Sequence, residues 1–62
     1  MRKIQDRAFY LGKAVKKAER LETGAVEARA EAKKEWIEFR DSLSSRERTI
    51  AEGAYSAGYR WA

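Results

Sequence analysis

The sequence predicts an all-α fold in which an antiparallel helical hairpin is followed by a C-terminal third helix. Three observations support this prediction. The 62-residue chain contains no proline, its apolar residues recur at the spacings of three and four that are typical of amphipathic helices, and turn signals occur near residues 22–24 and near Ser44. These signals predict helices at about residues 2–22, 25–42 and 45–60, forming a single small domain over residues 1–62.

The first predicted helix carries a narrow apolar stripe on one face. The stripe consists of Ile4, Ala8, Leu11, Val15 and Ala18, and one flank is widened by Tyr10, Ala14 and Leu21. The tripeptide "ETG" at residues 22–24 then supplies a turn. We expect Gly24 to take the left-handed conformation at the C-terminal end of this helix, so that the chain returns antiparallel.

The second predicted helix has small apolar residues in its first half and bulky ones in its second half. Its apolar face consists of Ala25, Ala28, Ala32, Trp36, Phe39 and Leu43, with Val26, Ala30 and Ile37 to one side. In an antiparallel hairpin the bulky end would lie near Ile4, Ala8 and Leu11. Large side chains of one helix could then fill the space over small ones of the other.

A third helix is predicted to begin near Ser44 or Ser45, because Ser44 stands three residues before Glu47 as in a capping box. Its expected apolar stripe consists of Ile50, Ala54, Ala57 and Trp61, with Tyr55 and Tyr59 one turn apart on a flank. The pattern leaves open whether the second and third helices are separate or form one bent rod.

The composition argues against catalysis. The chain has no histidine and no cysteine, so the commonest general base, the thiolate nucleophile and the usual zinc ligands are missing. Four glutamates recur at helical spacing, but so short a chain can hardly enclose an active-site pocket; they are Glu27, Glu31, Glu35 and Glu38. We interpret them as a solvated helix face or as an acidic strip for a basic partner, and we expect no enzyme, cofactor or metal.

No apolar run is long enough to span a membrane, and the first residues lack the continuous apolar core of a signal peptide. We therefore expect a cytoplasmic protein that makes no membrane contact. The formal net charge of +4 makes contact with nucleic acid or with an acidic protein surface possible.

Basic side chains of the first helix project opposite its apolar stripe, with Phe9 among them. They are Arg2, Lys13, Lys16, Lys17 and Arg20. In one interpretation this face follows phosphates while Phe9 stacks on a base. In the other, the lysines solubilise the helix or meet an acidic protein surface, and Phe9 packs under the third helix or a second subunit.

The last segment combines small residues with residue types that dominate binding hot spots. Gly53 with Ala57 and Ala54 with Gly58 form overlapping pairs at the four-residue spacing that permits close helix crossing. The surface they form meets either the chain's own hairpin or another protein. The predicted partner-binding residues are Tyr55, Tyr59, Arg60, Trp61 and Phe9.

The ending "EGAYSAGYRWA", residues 52–62, resembles the endings of small accessory proteins of bacteriophages and prophages. The resemblance implies a short cytoplasmic protein that binds, and often inhibits, a host protein complex. Many such inhibitors are acidic mimics of DNA, and a net charge of +4 departs from that pattern. Occlusion of a protein surface is therefore the expected mechanism.

The sequence thus predicts a non-catalytic protein-binding or regulatory module that docks on a host or self protein surface. Homodimerisation is a further expectation, because a small helical unit hides its core better in a larger bundle. The alternative hypothesis is a small basic nucleic-acid-binding protein that uses the first helix. A third hypothesis is a structural or assembly subunit.

Overall fold

The computed structural model describes residues 3–62, which form three α-helices and no β-strand. These are α1 (Lys3–Glu19), α2 (Ala25–Asp41) and α3 (Ser45–Trp61), so the predicted all-α fold is confirmed. Arg2, assigned from the sequence to the basic face, lies outside the described residues. Among the three helices, none combines the length and the apolar character that crossing a membrane requires.

The turn between α1 and α2 begins three residues earlier than the sequence predicts. Beyond Glu19 the chain tightens, because the amides of Arg20 and Leu21 donate to carbonyls only three residues back, at 3.1 and 3.3 Å. Gly24 takes the predicted left-handed conformation, with φ of 72°. It does so at the N-cap position of α2, however, and not at the C-terminal end of α1.

A capping box separates α2 from α3. The Ser44 backbone is extended, its hydroxyl oxygen accepts from the Glu47 amide, and the Glu47 carboxylate accepts from the Ser44 amide at 3.0 Å. This bond from the Ser44 amide lowers the pKa of Glu47. Helices α2 and α3 are therefore distinct, and they do not form one bent rod.

Helix α1 lies between the other two helices and supplies most of the buried core. Ala8, Leu11, Trp36 and Ala51 form the central cluster. Around it pack the partly buried side chains Ile4, Phe39, Leu43, Ala54 and Tyr55. The predicted contact of the bulky end of α2 with the N-terminal half of α1 is confirmed.

Helices α1 and α3 approach each other closely at Gly12 and Gly58. A Cβ atom on Gly58 would overlap the carbonyl of Phe9, and one on Gly12 would overlap the carbonyl of Tyr55. The two helices are thus in contact through their backbones. No side chain larger than hydrogen fits at either position.

This crossing turns α3 away from the orientation that its apolar pattern predicts. Ala51 and Gly58 are its buried residues, whereas Ile50 is 47% exposed and Trp61 is 78% exposed. The predicted stripe of Ile50, Ala57 and Trp61 was therefore wrong as a core face, although Ala54 is partly buried. The physical reason is that Gly58 allows the backbones of α1 and α3 to touch. The rotation of α3 about its axis is therefore set by this close contact as well as by the burial of apolar side chains.

Candidate functional site

Tyr55, predicted to bind a partner, is packed within the chain. Its ring stacks on the indole of Trp36, with ring centroids 4.2 Å apart and planes inclined by 16°. Burial raises the pKa of Tyr55. This stack joins α3 to α2, so the side chain stabilises the fold and offers only part of its surface to a partner.

Tyr59 also has an internal role, in a polar cluster that joins all three helices. Its hydroxyl donates to Glu19 Oε1 at 2.5 Å, and Arg29 Nε donates to Glu19 Oε2 at 2.8 Å. The bond from Tyr59, and then that from Arg29, lowers the pKa of Glu19. The same bond to Glu19 raises the pKa of Tyr59.

The sequence pattern does not distinguish Glu19 or Arg29 from the other charged residues. They lie 10 residues apart, and Tyr59 lies 40 residues from Glu19, so no helical spacing links them. Only the tertiary packing brings their side chains together. A shallow cleft of about 250 Å³ adjoins the cluster, and Ser56, Lys33 and Arg60 are among its lining residues.

The outer face of α3 is the solvent-exposed side that carries Trp61. It consists of Arg46, Ile50, Gly53, Ala57, Arg60 and Trp61, which recur at helical spacing and are all exposed. No atom outside its own helical backbone would come within 4 Å of a Cβ on Gly53. Of the four residues predicted to pack closely, Ala54 and Gly58 do so within the chain, whereas Gly53 and Ala57 face solvent.

The charges on this face are all positive among the described residues. Glu47 is held in the capping box, and Glu52 projects from the other side of the helix. Arg46 and Arg60 therefore flank the apolar strip, and the Glu47 carboxylate, three residues before Ile50, accepts from the Ser44 amide. An open groove of about 410 Å³ runs along Ala57, Arg60 and Trp61.

Such a face is suited to contact with another protein. An exposed tryptophan can fill an apolar pocket, arginines can pair with carboxylates in a bidentate geometry, and Gly53 and Ala57 allow a partner helix to approach closely. Between residues 3 and 62, no group of three acidic side chains is arranged to hold a metal ion.

The basic face predicted for the first helix is divided in the structure. Lys16 lies over the ring of Tyr59, 4.6 Å from its centroid, whereas Lys13 lies 5.8 Å from the ring centroid of Phe9. Phe9 is half-buried, and its backbone packs against Gly58. Lys17 remains exposed on the side of α1 that faces α2.

Arg20, the last residue of the predicted basic face, follows α1 and is also exposed. In the described part of this face, Lys13 and Lys16 thus lie over aromatic rings, whereas Lys17 and Arg20 are exposed. No protein-family model, no characterised protein and no solved structure matches the chain.

Proposed function

We propose that the protein is a non-catalytic protein-binding module that docks through the outer face of α3 and occludes a functional surface of its partner. The observation that supports this most strongly is Trp61. Its side chain is 78% exposed at the end of a capped helix, on the same face as Ile50, which is 47% exposed. Tryptophan is among the residues most enriched in binding hot spots.

The same face indicates the chemistry of the partner. It would offer an apolar groove or pocket that accepts the Trp61 indole, with carboxylates at the rim that pair with Arg46 and Arg60. The net charge of +4 would speed association with an acidic surface by electrostatic steering. In agreement with the resemblance of residues 52–62, the proposed setting is the cytoplasm, and the proposed partner is a host protein complex that docking inhibits.

This proposal is tested by affinity capture with a tagged chain from extracts of the native host, followed by binding measurements on the purified partner. Trp61→Ala should weaken binding by roughly 30-fold or more, as expected for a hot spot. Val26→Ala is the matched control, because Val26 is 84% exposed on α2, away from the proposed site. Binding that survives Trp61→Ala but is lost in Val26→Ala would refute docking through α3.

Nucleic-acid binding through α1 is the second candidate, supported by the exposure of Lys17 and Arg20. Affinity for duplex DNA or RNA would then fall steeply with salt, with a slope of roughly −4 for four to five phosphate contacts. Binding measured at two salt concentrations decides between the candidates. Tight, salt-sensitive binding that Lys17→Glu abolishes and Trp61→Ala leaves unchanged would replace the protein-docking proposal.

A further inference from the structure

A second exposed surface, the α1–α2 groove, lies on the side of the helical hairpin away from α3. It has a volume of about 410 Å³. Its apolar lining consists of Tyr10, Ala14, Ala18, Leu21, Ala28 and Ala32. Tyr10 is 59% exposed and Leu21 is 49% exposed, so this groove leaves two large side chains in water.

The two rims of the groove carry opposite charge. Lys13 and Lys17 line it on the α1 side. On the α2 side, Glu31 and Glu35 each stand three residues after a lining alanine, and residues at that spacing are neighbours on a helix surface. Within residues 3–62, none of these four side chains forms an ion pair, since the pairs found there join other residues.

We propose that the occupant of the groove is the same groove of a second copy of the chain. Because α1 and α2 are antiparallel, a two-fold axis parallel to the helices places α1 of each copy over α2 of the other. The lysine rim of each copy then faces the glutamate rim of the other, at matching heights. A two-fold axis perpendicular to the helices would instead stack α1 on α1 and set lysines against lysines. Because like charges repel, the axis parallel to the helices is favoured.

Association of this kind agrees with the size of the domain. A chain of about 60 residues buries only about 60% of the surface that it exposes when unfolded, and joining the two grooves removes Tyr10 and Leu21 of both copies from water. The alanines allow close approach of the helices. The outer face of α3 lies on another side of the molecule, so self-association does not depend on the proposed function and leaves Trp61 free.

The test is the mass of the purified chain by sedimentation equilibrium. The wild type should sediment at twice the 7.2 kDa of one chain. The variants Lys13→Glu/Lys17→Glu and Glu31→Lys/Glu35→Lys each set like charges against each other, so each should dimerise roughly 100-fold more weakly. An equimolar mixture of the two variants should dimerise again, because every rim then meets its opposite.

Lys33→Glu/Lys34→Glu is the matched control. It changes the net charge as much as the α1 variant does, at exposed positions outside the groove, and it should remain a dimer. Circular dichroism of each variant checks that the helices are retained.

A wild type that sediments as one chain at hundreds of micromolar would overturn the proposal. So would an α1 variant that stays a dimer, or two variants that fail to associate when mixed. Trp61→Ala separates this proposal from docking through α3, because it should weaken partner binding by roughly 30-fold or more and leave the dimer intact. Loss of the dimer in Trp61→Ala would place the self-interface on α3 and refute the groove.

Discussion

Helix α1 meets its two neighbours in different ways. Against α3, Gly12 and Gly58 bring the backbones into direct contact. Against α2, contact is made by side chains, chiefly Leu11 and Ala8 with Trp36, and the α1–α2 groove remains open beside them. Two helices of equal length, both packed on α1, thus form one closed and one open side.

The difference follows from the residue at the crossing point. Glycine removes the side chain that normally separates two helix axes, so backbones close on each other and exclude solvent. Where alanines line the contact and bulky residues occupy only one end, as at Trp36, the helices leave a groove at the other end. The closed side therefore contributes mainly to stability, whereas the open side leaves the groove that we propose a second copy of the chain covers.

The largest loss of stability is expected on removal of the Trp36 side chain, which belongs to α2 and contacts both α1 and α3. Trp36 packs on α1 and stacks on Tyr55, and Trp36→Ala should lower the free energy of unfolding by roughly 3–5 kcal/mol. Domains of this length have a total of roughly 3–9 kcal/mol, so the variant should melt at a much lower temperature, or show no folded baseline, in thermal denaturation followed by circular dichroism.

Trp61→Ala is the matched control for this prediction. The exposed tryptophan should change stability by no more than about 0.5 kcal/mol. Equal melting temperatures for the two tryptophan variants would show that Trp36 does not hold the helices together.

Substitutions at two glycines of α3 test the close contact between α1 and α3. Gly58→Ala should destabilise by roughly 1–3 kcal/mol, because the added methyl group forces α1 and α3 apart. Gly53→Ala should stabilise by about 1 kcal/mol, since alanine is the better helix former and the space around Gly53 is open. Urea unfolding measures both, and a stabilising Gly58→Ala would contradict the backbone contact.

The capping box at the N-terminus of α3 is expected to contribute less to stability than the glycine contact does. Ser44→Ala removes the hydroxyl that accepts from the Glu47 amide and should destabilise by about 1 kcal/mol. The adjacent Ser45→Ala, which leaves the cap intact, should have little effect on the urea midpoint. If both serines proved equivalent, the capping box would not stabilise α3 measurably.

The smallest effect is expected from the polar cluster at the end of the bundle, and it depends on pH. Glu19 has a lowered pKa in the folded state, so its contribution is present above the unfolded value of about 4.5 and is lost as pH falls. Tyr59 has a raised pKa, so its contribution is present below about 10 and is lost as pH rises. Tyr59→Phe should therefore reduce the pH dependence of stability at both extremes.

Urea unfolding at acidic, neutral and alkaline pH measures this prediction. Part of the acid dependence should persist in Tyr59→Phe, because Glu47 also has a lowered pKa and Arg29 still donates to Glu19. The Ser44→Ala variant, which weakens the capping box, should reduce that remaining part. An unchanged alkaline limb in Tyr59→Phe would exclude a role for the hydroxyl in stability.

The residue types in the sequence predict much of the candidate site. They do not predict where each of these residues lies in the folded protein. The sequence predicts partner contact for Tyr55, Tyr59 and Trp61 alike, and it places Trp61 on the apolar stripe of the third helix with the tyrosines on a flank. In the structure the two tyrosines are held by Trp36 and Glu19, and only Trp61 is largely exposed. What separates them is the rotation of α3 about its axis, which no local pattern in α3 specifies.

By itself, the sequence determined the three helices, the capping box at Ser44 and the core faces of α1 and α2. These depend on local propensity and on strong apolar periodicity, which act within one segment. Only the tertiary structure decided that Gly12 meets α3, that Ile50 and Trp61 face solvent, and that Glu19 joins Arg29 and Tyr59. Close contact at glycine depends on the shape of both helices at once, and it leaves no trace in the hydrophobic pattern of either.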